Sequence, residues 1–154
     1  MERSFCMIKP DGVQRRLVGR IVARFEDKGL RLAGLKLIQM SQKQAQELYS
    51  IHKGKPFHDT LVRFVTASPA VVMVIEGNQA VAVVRKLLGA TFGFNAEPGT
   101  IRGDYGGSKG FNLVHGSDAV ESAQREIPIF FQEGELARYE HADLAWVYEE
   151  PERK

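Results

Sequence analysis

Residues 70–75 are apolar at every position and rich in valine. A short run of this kind is typical of a strand that is buried on both faces, because neither face shows the polar positions of a solvated surface. Such a strand must be covered above and below by other elements of the chain. The rest of the sequence therefore has to provide neighbouring strands and covering helices.

Other segments show the short apolar runs or the alternation of strands. In the segment 30–40 the alternation slips at Gly34, which indicates a β-bulge. The run that ends at Ile8 is followed by Pro-Asp-Gly at 10–12, a combination typical of a turn. The further predicted strands are 3–9, 30–40, 111–114 and 144–148.

The spacing of apolar side chains predicts an amphipathic helix after the first strand. Val18, Ile21, Val22 and Phe25 lie at positions i, i+3, i+4 and i+7. Gly29 is placed to cap the C-terminus of this helix.

Capping residues predict where further helices begin. Ser41 and Gln44 have the three-residue spacing of a capping box. Asp118 and Glu121 repeat that spacing. Asn78 is placed to cap a third helix.

Other residues predict where helices end. We expect Pro128 to halt the helix after the second capping box, and Gly89 to end the helix capped by the asparagine. Apolar side chains between 57 and 65 recur at helical spacing, which gives a short helix before Pro69. This helix and the one after the first capping box form an inserted helical hairpin.

The order of elements is strand, helix, strand, followed by a second strand, helix, strand, with the hairpin inserted between them. This is the split βαβ arrangement, a ferredoxin-like βαββαβ antiparallel sheet of the α/β (α+β) class. With 154 residues, 44% of them hydrophobic, the chain fits one domain over residues 1–154. The fold hosts many functions, so it does not identify one.

Residues 89–110 form a long glycine-rich stretch without periodicity, and such loops are usually functional or disordered. The glycines of segment 98–104 could let main-chain N–H groups approach an anion, and a surface loop without a ligand is the alternative. The segment is not a P-loop, because no Gly-Lys-Ser or Gly-Lys-Thr follows. Arginine forks and lysine point charges both suit phosphate oxygens, although any one of them is more often a solvated surface charge. The basic residues that flank turns or loops, and that could together hold a polyphosphate, are Lys9, Arg85, Arg102 and Lys109.

His115 follows the predicted strand 111–114 and precedes a predicted helix start. An exposed imidazole near the free N–H groups of a helix could receive a transferred phosphoryl group. The alternative is a partly buried histidine without a catalytic role, which is commoner for a single histidine. Metal ligation is weaker, because His52, His58 and His141 lie in separate segments without metal-binding spacing.

Two aromatic residues frame a possible base-binding face. Tyr49 and Phe57 lie on either side of Gly54 and Pro56. Stacking on a nucleobase and packing in the core are both open for them.

Composition narrows the classes of partner. The net charge of +2 arises from 21 basic and 19 acidic residues that are interspersed, so we do not expect nucleic acid as the main partner. Cys6 is the single cysteine, which excludes an internal disulfide, makes a thiolate metal cluster implausible and favours the cytoplasm. No run approaches the roughly 18 apolar residues of a membrane span, so no membrane association is expected.

Three motifs together resemble the nucleoside diphosphate kinase family. Residues 112–118 are similar to its active-site signature Asn-x-x-His-Gly-Ser-Asp, residues 8–13 to its opening motif, and residues 98–104 to a third motif. They occur in the order and spacing of the family over essentially the whole chain. The resemblance implies a ferredoxin-like fold and transfer of the γ-phosphate of a nucleoside triphosphate to a nucleoside diphosphate by a ping-pong route.

The resemblance also implies roles for individual residues. His115 would be the nucleophile that becomes phosphohistidine, Glu126 would hold the ring nitrogen that does not attack, and Ser117 would bond to that carboxylate. Mg²⁺ would be carried on the nucleotide phosphates rather than held by protein ligands. The implied nucleotide contacts are Lys9, Arg85, Thr91 and Arg102 at the phosphates with Tyr49 near them, Lys9 and Asn112 at the ribose 3′ hydroxyl, and Phe57 and Leu61 at the base.

The family resemblance further implies broad base specificity and a homo-oligomer, which would be a hexamer. The chain departs from the family at Phe92 and Gly93, where many members have Asn-Pro, and at Lys109, a position that is often apolar. The loss of that proline frees the loop backbone, which in the family lies at a subunit interface. The alternative function is a nucleotide-binding module without significant turnover, which the presence of both His115 and Glu126 disfavours.

Overall fold

The computed structural model describes residues 1–153. In that range the strands are β1 (Glu2–Ile8), β2 (Arg31–Ile38), β3 (Ala70–Gly77) and β4 (Val114–Gly116). They form an antiparallel sheet in the order β2-β3-β1-β4. Strand β3 is buried along its whole length, as its uniform apolar sequence predicts.

Helices cover both faces of this sheet. The helices of the described range are α1 (Pro10–Gln14), α2 (Val18–Asp27), α3 (Gln42–Leu48), α4 (His58–Thr66), α5 (Ala80–Leu88), α6 (Ile101–Tyr105), α7 (Val120–Phe130) and α8 (Leu144–Val147). Single 3₁₀ turns lie at Ser50–His52, Gly93–Asn95, Glu133–Glu135 and Glu150–Glu152. Buried side chains of α3, α4 and α7 form one core with one face of the sheet, and those of α2, α5 and α6 form a second core with the other.

The ferredoxin-like fold class is confirmed. β3 lies between β1 and β2, which is the defining feature of a split βαβ unit, and α3 and α4 form the hairpin inserted before β3. The bulge is confirmed as a register shift between Leu32 and Gly34. The first capping box is also confirmed, because Gln44 N donates to Ser41 Oγ at 3.1 Å and Ser41 N donates to Gln44 Oε1 at 3.0 Å.

Two predicted helix caps are wrong. Asn78 does not cap α5, since its side chain donates to the carbonyl of Glu152. The N–H of Val81, in the first turn of α5, donates instead to Glu2 Oε1 at 2.8 Å. The second capping box does not form either, because α7 begins only after Ala119. The carboxylate of Asp118 instead accepts a hydrogen bond from the Ser122 hydroxyl. At α5 the carboxylate of Glu2, distant in sequence, thus replaces the predicted cap, whereas no side chain caps the start of α7.

Three predictions based on proline or apolar patterning are also wrong. Residues 10–12 open helix α1 rather than a turn, because proline at the first helical position loses no hydrogen bond. Pro128 lies inside α7, whose last turn tolerates it only two residues from the end. Residues 144–148 contain α8 rather than a strand, and Trp146 within it is 91% exposed.

Strand β4 begins at Val114, not at residue 111 as predicted. Leu113 has a φ of 72°, in the left-handed region, and this turn prevents the strand from extending backwards. As a result His115 lies inside the strand, paired with Met7 near the end of β1. The end of β1 and the short strand β4 together carry the candidate site.

In the part of the chain that the structure describes, no helix combines the length and the apolar character that crossing a membrane requires.

Candidate active site

His115 projects from the middle of β4 onto the face of the sheet covered by α3 and α7. Aromatic rings limit its movement: the ring of Tyr49 meets it edge-on at a centroid distance of 5.9 Å, and the ring of Phe5 lies at 5.8 Å. The side chain of His115 is 20% exposed. The imidazole is therefore held in place by its neighbours and still reachable from solvent.

One nitrogen of this imidazole is held by a buried carboxylate. Nε2 of His115 lies 2.7 Å from Oε2 of Glu126, on α7. The other oxygen, Oε1, accepts a hydrogen bond from Ser117 Oγ at 2.6 Å, and that Oγ also accepts one from the backbone N–H of Phe5 at 3.2 Å. Glu126 and Ser117 are both buried. The predicted association of His115, Glu126 and Ser117 is thus present in the geometry.

This arrangement determines which nitrogen has a free lone pair. A carboxylate next to Nε2 favours the tautomer with the proton on Nε2, so that Nε2–H donates to Glu126. Within residues 1–153 no hydrogen bond reaches Nδ1 of His115. Nδ1 is therefore the nitrogen that can act as a nucleophile, and Glu126 is placed to stabilise the positive charge that the ring gains when Nδ1 forms a bond.

The expected proximity of His115 to a helix N-terminus is not what positions it. Helix α7 begins at Val120, and the contact between the imidazole and this helix is made by Glu126, almost two turns further along. Glu126 therefore orients the imidazole. Binding of a phosphoryl group by the N–H groups at the start of α7 stays a prediction.

Lys9 and Asn112 form the next part of the site. Lys9 follows β1, and its Nζ donates to Oδ1 of Asn112 at 2.8 Å. The Nδ2 of Asn112 donates in turn to the carbonyl of Thr91 at 3.0 Å, and Thr91 itself is exposed. Burial, and secondarily the nearby charge of Arg102, lower the pKa of Lys9 to about 8.

Arg102 on α6 is 4% exposed and donates to three backbone carbonyls. Its Nε donates to Asn112 at 3.1 Å, its Nη1 to Gly89 at 3.0 Å and its Nη2 to Val114 at 2.7 Å. A guanidinium has five N–H groups, so two remain for a ligand. Burial, followed by the charge of Arg85, lowers the pKa of Arg102 to about 10. This residue braces the chain on both sides of Leu113.

Arg85 lies at the other side of His115. It is exposed on α5, and its Nη1 lies 3.5 Å from the carbonyl of Gly116. Its charge acts on both Arg102 and Asp118. Lys9, Arg85 and Arg102, predicted from their positions beside turns, therefore all contact the segment 112–116 that contains His115.

Aromatic side chains extend from the imidazole toward solvent. The ring of His52 lies 6.3 Å from that of Tyr49 and 5.2 Å from that of Phe57, which is 48% exposed. Tyr49 is 3% exposed, yet its hydroxyl has no hydrogen-bond partner among the described residues, and burial raises its pKa. Leu61 on α4 is partly buried against the core. Tyr49 thus packs its ring against His115 and keeps a buried hydroxyl that no described residue bonds, while Phe57 presents an exposed aromatic ring.

The loop that departs from the family is packed closely in this chain. The rings of Phe92 and Phe94 are stacked at 5.8 Å, and Nζ of Lys109 lies 5.3 Å from the Phe92 ring. A side chain at position 93 would collide with the backbone of Gly106, so glycine is required there. The loop that lost its proline is therefore held by an aromatic pair, a cation and a close backbone contact.

The sequence did not single out two residues that the structure places beside the site. The sequence predicts Asp11 as part of a turn, whereas its Oδ2 accepts the backbone N–H of Leu113 at 3.1 Å. The sequence marks His52 only as a weak candidate metal ligand, whereas its ring lies between those of Tyr49 and Phe57. The position of Asp11 within the motif at 8–13 could have identified it as part of the site. No feature of the local sequence identifies His52.

Two cavities lie away from His115, and the described residues hold no competing metal-binding cluster. Two cavities, of about 470 and 220 Å³, lie at the opposite end of β1 from His115 and include Arg31 and Glu76 in their walls. They are remote from the imidazole, so the chemistry of the side chains identifies the site better than cavity size does. Within residues 1–153 no group of three or more His, Cys, Asp or Glu side chains is arranged to hold a metal ion.

Comparison with known proteins agrees with this geometry. The sequence model of the nucleoside diphosphate kinase family matches residues 2–136. The chain is 57% identical over 149 residues to a nucleoside diphosphate kinase of Crocosphaera subtropica, and 54% identical to that of Carboxydothermus hydrogenoformans; each alignment covers 97% of this chain and 100% of the relative.

Solved structures show the same relationship. A halophilic nucleoside diphosphate kinase from Halobacterium salinarum, in complex with CDP, superposes with a TM-score of 0.94 at 50% identity, covering 96% of this chain and 99% of that one. A nucleoside diphosphate kinase family protein from Babesia bovis superposes with a TM-score of 0.93 at 41% identity, covering 96% and 100%. With the family model matching most of its length and relatives of this similarity, the chain belongs to the nucleoside diphosphate kinase family.

Proposed function

We propose that this chain transfers the γ-phosphate of a nucleoside triphosphate to a nucleoside diphosphate through a phosphohistidine at His115. The observation that carries the proposal is the contact of His115 Nε2 with Glu126 at 2.7 Å, which leaves Nδ1 as the nucleophile. Membership of the family makes the chain a phosphotransferase, and the halobacterial relative in complex with CDP supports nucleotides as its substrates.

The reaction proceeds in two half-reactions. Nδ1 of His115 attacks the γ-phosphorus, an N–P bond forms, and the bond to the bridging oxygen breaks as the nucleoside diphosphate leaves with the electron pair. The β-phosphate oxygen of a second diphosphate then attacks the phosphohistidine, and the N–P bond breaks to return the lone pair to Nδ1. Glu126 keeps Nε2 protonated throughout and offsets the positive charge on the ring. Ser117 fixes the carboxylate.

The basic residues are proposed to neutralise the transferring phosphoryl group. Phosphoryl transfer depends mostly on positioning and on electrostatic stabilisation of charge spread over the phosphate oxygens. Lys9, Arg85 and Arg102 surround the backbone on either side of His115, and the exposed Thr91 contributes a hydroxyl. The ring of Tyr49 packs edge-on against the imidazole, and its buried hydroxyl has no partner among the described residues. These residues are proposed as the phosphate contacts.

Ribose and base are proposed to occupy the neighbouring surface. Lys9 and Asn112, joined by a 2.8 Å hydrogen bond, would bind the ribose 3′ hydroxyl. The exposed ring of Phe57 would stack on the base, with Leu61 beside it. Stacking accepts every base because each has a π-face, so broad base specificity follows.

Mg²⁺ is proposed to enter with the nucleotide. The side chains that converge on the phosphate position are cations and hydroxyls, and the nearest buried carboxylate, Glu126, is already occupied by His115 and Ser117. Mg²⁺ commonly keeps most of its water and binds to substrate phosphates. When bound there, it would neutralise phosphate charge.

The chain is further proposed to form a homo-oligomer, specifically a hexamer. β2 is an edge strand of the sheet, and Leu35 and Leu37 on it are 51% and 67% exposed. An edge of this kind is suited to pairing with a second copy. Light scattering during gel filtration should give a mass six times the chain mass of 17.2 kDa.

Residues 1–154 are proposed as a single domain located in the cytoplasm. The two cores share one sheet, which favours a single domain, and Cys6 is a buried free thiol, which suits a reducing compartment.

A labelling experiment tests the mechanism directly. The protein, incubated with [γ-³²P]ATP and Mg²⁺, should acquire acid-labile, alkali-stable label that is discharged by added nucleoside diphosphates. His115→Ala should acquire none, and His141→Ala, which removes a histidine far from the site, should label like wild type. Equal labelling of His115→Ala and wild type would reject the mechanism, and nucleotide binding without label would favour the binding-module alternative.

A further inference from the structure

Leu113 is held in a strained backbone conformation between the two functional residues Asn112 and His115. Its φ is 72°, and the N–H of Val114 donates across it to the carbonyl of Asn112 at 2.8 Å, the hydrogen bond of a γ-turn. The γ-turn with positive φ is rare and strained, and for a non-glycine residue it persists only where surrounding contacts impose it.

This turn changes the direction of the side chains around it. In a regular strand consecutive residues point to opposite faces, yet Leu113 and Val114 are both fully buried in the same core, the one covered by α2, α5 and α6. The break in alternation lets Asn112 leave that core and reach Lys9, while His115 stays on the opposite face. The conformation of Leu113 therefore determines the relative placement of Asn112 and His115.

The N-terminal segment holds both backbone groups of Leu113. Lys9 N donates to the Leu113 carbonyl at 2.7 Å, and the Leu113 N–H donates to Asp11 Oδ2 at 3.1 Å. The first bond uses main-chain atoms, so any residue at position 9 except proline provides it. The second depends on the side chain of Asp11, and no hydrogen bond of normal geometry reaches the other oxygen, Oδ1, from the described residues.

We propose that Asp11 is a positioning residue of the active site: by accepting the Leu113 N–H it fixes the strained turn that sets Asn112 and His115 at their working separation. This inference rests on the proposed function, because it concerns the phosphorylation of His115. It assigns to Asp11 no contact with the nucleotide. Its effect should therefore be on the rate of phosphoryl transfer more than on nucleotide affinity.

Two substitutions separate the hydrogen bond from the negative charge. Asp11→Ala removes the acceptor, whereas Asp11→Asn keeps a carbonyl oxygen that can accept the same N–H. Asp27→Ala removes an exposed carboxylate at the end of α2 and serves as the matched control. Assays at pH 6.5 keep Lys9 protonated, since its pKa of about 8 would be lowered further without the Asp11 charge.

The measurement is the single-turnover rate of phosphoenzyme formation at saturating ATP, with circular dichroism to verify folding. Asp11→Ala should reduce the rate by about tenfold or more, because misplacement of reacting groups by about 1 Å can cost on the order of 100-fold. The rate of Asp11→Asn should remain within about threefold of wild type, because the asparagine retains an oxygen that accepts the Leu113 N–H and holds the turn. In Asp11→Ala the apparent ATP affinity should change by a smaller factor than the rate, and in Asp11→Asn both should stay near their wild-type values.

The outcomes distinguish this inference from the proposed function. Absence of label on wild type would reject the proposed function itself, before any variant is compared. If wild type is labelled but Asp11→Ala reacts as fast as Asp27→Ala, the positioning role alone is rejected. Equal impairment of Asp11→Ala and Asp11→Asn would also overturn it, because the charge and not the hydrogen bond would then be responsible.

Discussion

Arg102 Nη2 donates to the carbonyl of Val114 at 2.7 Å, so the residue directly before His115 is braced by a buried guanidinium. Two further carbonyls, of Asn112 and Gly89, receive hydrogen bonds from the same side chain. A residue proposed to contact phosphate thus also holds the backbone of the site. Folding stability and turnover should both depend on it.

Substitution of Arg102 tests this dual role. Arg102→Lys keeps the charge but loses the planar fork, and a single nitrogen cannot occupy the positions of Nε, Nη1 and Nη2 together. We expect the free energy of unfolding to fall by about 2–4 kcal/mol and turnover by at least about tenfold. Urea denaturation and steady-state kinetics measure the two effects, with the exposed Arg63→Lys as control. A loss of turnover without any loss of stability would show that the carbonyl contacts are energetically unimportant.

Substitution of Glu126 tests whether its negative charge promotes the nucleophilic attack by His115. In Glu126→Gln an amide oxygen can still accept Nε2–H, but the negative charge that offsets the developing charge on His115 is lost. We expect phosphoenzyme formation to slow by about 10- to 1,000-fold, within the range for a general-base or electrostatic partner. Rapid-quench labelling measures this rate. Glu121→Gln, an exposed carboxylate on the same helix, should react like wild type. Equal rates for the two variants would exclude an electrostatic role for Glu126.

The strands and amphipathic helices could be predicted because their signals are repeated over many residues. The uniform run at 70–75 and the spacing of Val18, Ile21 and Phe25 each reflect burial of a whole face, and the structure confirms both elements. Helix ends were less predictable, because each depends on a single polar side chain that can bond either to the local backbone or to a group distant in sequence. Glu2, remote in sequence, caps α5 in place of Asn78.

The candidate site could be predicted only in part for the same reason. The motifs located His115, Lys9 and Arg102, which the structure brings together. The left-handed conformation of Leu113 could not be read from a leucine, whose sequence context favours a strand. It depends on contacts with Lys9 and Asp11, which lie about a hundred residues away in the chain.

The buried ammonium of Lys9 should make activity and stability respond to pH in opposite directions. Its pKa is about 8 in the folded protein, against an ordinary value of 10.5. Between these values the unfolded chain binds more protons than the folded one, so the contribution of Lys9 makes the folded state more stable as pH rises from about 8 toward 10. Over the same range Lys9 loses the charge proposed to bind phosphate, so kcat/KM should fall with a midpoint near pH 8.

Lys9→Met isolates this effect, since it removes the titrating group and keeps most of the apolar stem. Between pH 7 and 9 its stability should change less with pH than that of wild type, measured by urea unfolding. Its activity should be low, and the midpoint near pH 8 should be absent. The structure indicates that burial destabilises the ammonium of Lys9. This is contradicted if the free energy of unfolding of wild type, relative to that of Lys9→Met, stays level or falls between pH 8 and 9.5.

Phe57 provides the test of base stacking, because its ring is 48% exposed and contributes little to the core. Phe57→Ala should leave the free energy of unfolding within about 0.5 kcal/mol of wild type. A stacked base is worth about 1–3 kcal/mol, so KM should rise by about 5- to 150-fold for purine and pyrimidine nucleotides alike. Because this interaction is the same in the ground state and the transition state, kcat should be nearly unchanged.

Steady-state kinetics with ATP, GTP and CTP measure these parameters. Trp146→Ala, which removes a ring that is 91% exposed on α8, should leave KM unaltered. A KM for Phe57→Ala equal to that of Trp146→Ala would place the base elsewhere.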